Sequence, residues 1–367
     1  MTTPLDLKRL KVFPLSQRKS LTRALDILVD PDATPTPLPD QNLAAIERCA
    51  RQIKVARAKG AAVVLIYGAH LLRNGAALIL ERLMAQGLIT HLATNGAGTI
   101  HDWEYAWLGA STESVRENVA NGTFGLWRET SLNIHRALLT GALQRLGYGQ
   151  ALGRYILEDG GSFPPPEQLL AAIQQFPEDP LVPAFVDLLH AMREQGWQGG
   201  FFQVEHRFKH ASILAQAYKH KVPATVHPGI GYDIITNHPI FSGSVIGRAG
   251  ELDFKLFAGA LEGLDGGVVL SVGSAIMGPQ VFEKALACVN NIRIADGRPI
   301  VQGHALHVVD LQDSGGWDWT TGEPPKTNPA YYLRFCKSYA RMGGELHYHQ
   351  CDNLAFIHHL GKRLAGS

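Results

Sequence analysis

The feature that most constrains this chain is an alternation. From Gln41 onward, short β-rich apolar runs are followed by amphipathic, helix-like stretches: AAVVLIY by NGAALILERLMAQG, LITHLAT by HDWEYAWLG, GGVVLSV by PQVFEKALACVNN. VPATVHP and ALHVVDL read as further strands, and ELHYHQ near the end as a last one. Strands separated by helices imply βαβ units, hence an α/β fold: a Rossmann-like parallel sheet with helices on both faces. Residues 111–200, which include GSFPPPEQ, read as a helical insertion or lateral layer. Residues 1–40 combine basic side chains with the proline-rich DPDATPTPLPD and read as an N-terminal arm and linker. The expected organisation is therefore an arm over 1–40 and a single α/β domain over 41–367.

Composition excludes several classes of function. With 46% hydrophobic and 18% charged residues over 367 positions, a large core is available. A net charge of +1 gives no global field that recruits nucleic acid or an anionic membrane. Cys49, Cys288, Cys336 and Cys351 lack C-x-x-C spacing, so a reducing cytoplasm is expected rather than a disulfide framework. No run approaches the roughly 20 apolar residues of a membrane span, and MTTPLDLKRLKVFPLSQRKS lacks a signal-peptide core.

The loops that leave the strands are informative. The runs end in GAHLLRN, TNGAG, HPGIGYD, SVGS and DLQDSGG, and in a parallel sheet all such loops lie at one edge, where α/β ligands bind. Within LATNGAGTIHDWE, the segment GAGTIH matches G-x-G-x-x-G except that His101 replaces the last glycine. No strand ending in an acid appears about 20 residues later, as the usual ribose contact requires. The N–H groups of Gly96 to Gly98 ahead of a helix still form a phosphate site, with His101 and Asp102 placed to reach a ribose or base.

Other constellations carry less. His347 and His349 share a strand face and can be drawn with His358 or Asp352 as metal ligands, but no metal is expected from so histidine-rich a chain. Trp317 and Trp319 flank Asp318, where aromatic faces can box an ammonium or pack. Glu251 and Asp253 are expected at a helix start, stabilising its dipole. G-x-S-x-G and P-loop motifs are absent.

The segments ERLMAQGLITHLATNGAGTIHDWEYAWLGA, AYKHKVPATVHPGIGYDII, GGVVLSVGSAIMGPQVF, VVDLQDSGG and HYHQCDNLAFIHHL together resemble the core of deoxyhypusine synthases, over roughly residues 60–360. The resemblance implies an NAD-binding Rossmann-like sheet, a homotetramer, and chemistry on spermidine or another amine. In that chemistry a hydride leaves the amine, an imine forms, and a lysine relays the aminobutyl group to a protein acceptor. It further implies cofactor contacts at His70, Arg73, Asn95, Gly96, Ala97, His101, Gly273, Ser274, Asp310 and Asp352, and amine contacts at Asp233, Asp313 and Trp317. Asp313 is also implied in catalysis. His70 and Arg73 replace an Asn and a Ser of the family, and the lysine-histidine pair beyond its triple glycine is missing here.

The nucleophilic lysine falls, by spacing, on Lys326 in Glu-Pro-Pro-Lys rather than in the family's Ser-Trp-Gly-Lys; a shifted alignment points to Lys337 or to none. A lysine of ordinary pKa, about 10.4, must be desolvated or placed beside a cation to attack an imine. The expected function is NAD-dependent hydride abstraction from a polyamine or other amine, with or without aminoalkyl transfer. The alternative is a non-redox nucleotide-binding protein or hydrolase on the same fold.

Overall fold

A computed structural model describes residues 3–365. The chain divides into two compact units. A sheet unit takes in Ile27–Gly98, His220–His227 and the chain from Phe254 onward, and a helical unit takes in the chain up to Asp26, Thr99–Lys219 and Pro228–Asp253. Residues 111–200 share a unit with the N-terminal segment and with 228–253.

The sheet unit holds six strands: β1 (Val63–Tyr67), β2 (His91–Asn95), β3 (Ala224–His227), β4 (Val268–Val272), β5 (Ala305–Asp310) and β6 (Glu345–Gln350). All neighbours pair in parallel, in the order β3-β2-β1-β4-β5-β6. This is the Rossmann order, in which the chain leaves β1 in one direction and resumes at β4 on its other side. Parallel strands buried on both faces need apolar side chains at every position, and Val63–Tyr67 and Val268–Val272 are buried throughout. On one face, Val64, Ile66, Val269, Leu306 and Val308 pack with Phe257, Phe282, Leu286, Phe335 and Tyr339. Alternation turns the intervening side chains to the opposite face. The helices Asp40–Ala58 and Asn353–Ala365 pack against each other and against strands there, burying Ile46, Ile53, Phe356 and Leu360.

A lateral row on that second face runs Leu92, Leu65, Leu270, His307, His347 in register. The row changes from leucine to histidine at β5. The His307 ring stacks 4.9 Å from His347 and 5.2 Å from His349. Its Nε2–H donates to Gln52 Oε1 at 2.7 Å, so its Nδ1 accepts from His349 Nε2 at 2.9 Å. Burial and the neighbouring rings hold these imidazoles neutral: the His349 pKa is pushed down to about 3 and that of His307 well below its ordinary value. Among the described residues, no group of three or more His, Cys, Asp or Glu side chains converges as a metal site.

In the helical unit, Arg128–Ala142 and Tyr148–Leu157 pack together, and Gly160–Phe163 pairs antiparallel with Gly200–Gln203. Part of the N-terminal arm is built into this unit rather than solvated. Leu15 is fully buried, Thr22–Arg23 pairs with Ala110–Ser111, and Arg18 forms a buried ion pair with Glu104 at 2.7 Å. All four cysteines are free thiols. No helix among the described residues is long and apolar enough to cross a membrane.

The histidine stack makes stability depend on pH. In the unfolded chain these imidazoles titrate near 6.5, whereas the folded state holds them neutral far below that. The unfolded state therefore binds more protons in acid, and stability falls as pH drops below about 6.5 toward the folded pKa of about 3. The buried Asp102 and Asp233 carboxyls, raised to about 7 and about 6, act in the opposite sense. His349 alone is expected to remove roughly 2 kcal/mol by pH 5. Urea unfolding at pH 7.5 and pH 5 should show a smaller acid loss in His349→Leu than in the unmodified protein; an equal loss in both contradicts the assignment.

Candidate cofactor site

Two turns define the place where the strand order reverses. β1 ends at Tyr67, and Gly68 caps the short helix Ala69–Arg73. Gly68 N–H donates to Val272 O at 3.1 Å, and Gly273 N–H donates to Val309 O at 3.0 Å, so the ends of β1, β4 and β5 are stitched together. A Cβ at Gly68 would lie 2.0 Å from Gly273 O, and one at Gly273 would lie 2.4 Å from Asn353 Nδ2. Gly273 also has φ +60°, which glycine adopts without strain. The backbones of these two turns are therefore bare of side chains where β1 and β4 part company. A crevice outside the carboxyl ends of the strands at such a point is where open α/β sheets bind ligands.

Around it, two polar atoms are buried without hydrogen-bond partners: Arg73 Nε and Asn353 Oδ1. His70 is exposed on the helix after β1. The parallel arrangement places His70 and Arg73 after β1, Asn95, Gly96 and Ala97 after β2, Gly273 and Ser274 after β4, Asp310, Asp313 and Trp317 after β5, and Asp352 after β6. All belong to one edge of one sheet.

Much of their chemistry is already engaged in holding that edge. Thr94 Oγ1 donates to Tyr67 O at 3.0 Å, tying the end of β2 to that of β1. Asn95 Oδ1 accepts from Gly98 N–H at 2.9 Å and caps the helix Gly96–Leu108. A Cβ on Gly98 would meet Thr94 Oγ1 at 2.4 Å, so this glycine serves the close packing of helix on strand. Ser274 Oγ accepts from Gly278 N–H at 3.1 Å, and Asp352 Oδ1 from Ala355 N–H at 2.8 Å. Asp310 Oδ1 accepts from Gln312 N–H at 3.1 Å and Asp313 Oδ1 from Gly315 N–H at 2.9 Å. The Tyr348 hydroxyl donates to Gln312 O and pins the same loop. Among the described residues none of Asp310, Asp313 and Asp352 meets a cation at ion-pair distance.

The two tryptophans behave differently. Trp317 donates its N–H to Gly322 O at 2.9 Å and packs half-buried on the core, while Trp319 is buried within it; a box of both rings around an ammonium is not what this loop builds. Lys326 lies exposed beyond Pro324 and Pro325. Lys337 stands 3.7 Å above the Tyr331 ring and 4.0 Å from Glu323, which also pairs with Arg341 at 2.8 Å.

His101 and Asp233 belong to the helical unit. Ser111 Oγ donates to Glu104 Oε2 at 2.5 Å, so it accepts from His101 Nδ1 at 2.7 Å; His101 thereby extends the buried Arg18–Glu104 pair. Asp233 is buried, accepts from Gly229 N–H at 2.7 Å, and has its pKa raised by burial to about 6. Asp102, expected beside a ribose, is fully buried and accepts from Ser212 Oγ and from Ile213 N–H at 2.7 Å, capping the helix Ile213–Lys219. Asp253 lies inside the helix Gly243–Leu261, not at its start, and caps a different one, accepting from Gly149 N–H at 2.9 Å. A buried helix start needs an acceptor for its open N–H groups, and a carboxylate from another element supplies it. The loop GAHLLRN is legible in the sequence as a strand end, but Gly68 within it and Asn353 have no motif to single them out.

No family model matches the chain, and no curated protein matches it. Among solved structures it is similar to AgrE in a ternary complex with ornithine and NAD+, at TM-score 0.40 and 15% identity over 91% of this chain and 34% of that one. It is also similar to ArgZ, an arginine dihydrolase from cyanobacteria, at TM-score 0.39 and 13% identity over 88% and 32%. A third likeness is to a conserved protein provisionally named LOR/SDH from Methanococcus maripaludis S2, at TM-score 0.41 and 13% identity over 97% and 76%. The chain spans about a third of the length of the ArgZ and AgrE chains. Likenesses this distant carry no argument about what this chain binds.

The capping role of Asn95 is directly testable. Asn95→Ala should cost about 1 kcal/mol of unfolding free energy, the usual value of a lost N-cap, and Asn95→Asp should restore most of it. Urea denaturation measures both; an unaffected Ala variant contradicts the cap.

Proposed function

We propose that the sheet unit binds NAD across the reversal point between β1 and β4 and oxidises an amine to an imine, with release of the product to water. The observation that carries this reading is the bare backbone at Gly68 and Gly273, set where a six-stranded parallel sheet in the order 3-2-1-4-5-6 changes direction. The residues present fit a dinucleotide. The Gly68 turn opens a helix N-terminus without a side chain in the way, Arg73 offers a cation for phosphate, and the orphaned Asn353 Oδ1 awaits a donor. Asn95 stands at the end of β2, where Rossmann folds carry the ribose-binding acid; with its Oδ1 engaged, its amide N–H groups remain for a hydroxyl. His70, Gly96, Ala97, Ser274, Asp310 and Asp352 complete the proposed cofactor edge.

NAD, when bound, supplies the acceptor for the hydride of the amine-bearing carbon. The chain's own part is to hold that carbon in place. Asp310 and Asp313, without cationic partners, bind ammonium groups by charge-assisted hydrogen bonds, and Trp317 walls the loop. Lys326 on an exposed loop lacks the desolvation that a neutral amine nucleophile needs, which favours release to water over the aminoalkyl transfer implied by the resemblance to deoxyhypusine synthases. Assembly as a homotetramer belongs to the same proposal.

Spermidine is the first amine to test. Calorimetry should detect NAD+ binding, and spermidine should generate NADH absorbance. Asp313→Asn should raise the KM for amine about tenfold or more, the value of a hydrogen bond to a charged group, with NAD+ affinity unchanged. Lys326→Arg should leave turnover intact, and borohydride should trap no adduct. NAD+ binding without NADH formation from any amine tried supports the non-redox reading instead, and an adduct on Lys326 supports transfer.

A further inference from the structure

The helical unit contains a cleft of about 700 Å³ that the proposed chemistry does not use. Its walls include Trp107, Leu108, Leu132 and Phe208, and its polar floor is Asn133 and Arg136. Arg136 projects from the helix Arg128–Ala142. Its guanidinium carbon lies 4.7 Å from the centre of the Trp197 ring and 5.2 Å from that of Phe202. Those rings are in turn locked by Phe163, which stacks on Trp197 at 5.1 Å and contacts Phe202 at 4.5 Å. Arg136 Nε is buried without a hydrogen-bond partner; the guanidinium meets the Tyr155 hydroxyl, and no carboxylate among the described residues pairs with it.

Two carboxylates also line the cleft, and only one of them, Glu205, is paired by a cation. Glu129 accepts from Leu15 N–H at 2.6 Å, and Glu205 pairs with Arg207 at 3.1 Å. Asn133 is held at both ends, donating to Glu129 O at 2.8 Å and accepting from the Tyr155 hydroxyl at 2.7 Å. Arg136 is thus the one lining cation that no carboxylate pairs, oriented by two aromatic faces and the Tyr155 hydroxyl, in a cleft that combines polar side chains with the apolar Trp107, Leu108, Leu132, Val204 and Phe208. A guanidinium fork held in this way has lost its rotamer freedom before any ligand arrives, so its pairing with a planar anion costs little further ordering.

We infer that this cleft binds a carboxylate carried on an apolar body, with Arg136 as the bidentate partner and the Trp107–Leu132–Phe208 wall as the seat of the body. A single free cation matches one negative charge. A phosphate monoester carries more, and Arg207, the next cation, is already tied to Glu205. Trp107, backed by Trp103 at 5.3 Å, gives a flat surface on which an aromatic or aliphatic group rests.

Calorimetry on the whole chain with phenylbutyrate, phenylbutyramide and phenyl phosphate tests this. The acid should bind at least tenfold more tightly than the neutral amide and more tightly than the phosphate. Arg136→Gln should remove that preference. Because Arg136 also supports the Trp197 stack, a second variant, Leu132→Trp, fills the cleft without touching the cation and should abolish binding of the acid. Equal affinity for acid and amide, tighter binding of the phosphate, no binding of the acid, or undiminished binding in Leu132→Trp would each overturn the inference.

Discussion

The close approach of two backbones, at Gly68 and Gly273, is the constraint on which the sheet unit depends. β1 and β4 are neighbours in space but far apart in sequence, and their ends are joined by a hydrogen bond from Gly68 N–H to Val272 O. Any side chain at Gly68 would fall on the Gly273 carbonyl. The strand order results from pairing β1 with β4 on one side and β2 on the other, and the reversal point results from the order. The bare backbone there is a by-product of tight strand pairing that a ligand can exploit. Close strand pairing demands glycine at this position, and the proposed cofactor would meet the same bare backbone.

Polar residues at strand ends hold the scaffold at the same edge of the sheet where the cofactor is proposed to bind. Asn95, Ser274 and Asp352 each satisfy an N–H at the start of the helix that comes after their strand, while Asp310 and Asp313 close turns within one loop. A loop stiffened in this way presents its remaining oxygen or amide in a fixed direction, which is what binding without large ordering costs requires. The helical unit uses the same device internally, with Asp102 and Asp253 buried as caps for helices remote in sequence.

How far the sequence was legible depends on which interactions are local. Five of the six strands lie within runs that read as apolar and β-rich, because burial on two faces leaves a local trace, and the more polar ELHYHQ forms the sixth at the sheet edge. Pairing order leaves none: nothing in AAVVLIY or GGVVLSV says that they lie side by side. The loop at Gly96 to Gly98 stands out because it matches a spacing, whereas the reversal of strand order falls at Gly68, with Ala-His-Leu-Leu after it and no spacing to mark it. Seen from β1, the strand that should end in an acid is β2, and it ends in Asn95. The basic N-terminal segment reads as solvated because its ion-pair partner, Glu104, is remote in sequence. The division into two units was equally hidden, since the helical unit is assembled from three separate stretches.

The central claim is that the dinucleotide lies at the β1–β4 reversal point. Amide hydrogen exchange of the intact chain with and without saturating NAD+ tests it most directly, because it reports where the ligand acts without relying on turnover. The account predicts slowed exchange in residues 68–74, 273–278 and 351–355. Protection confined to residues 96–101, or found only in the helical unit, would contradict it.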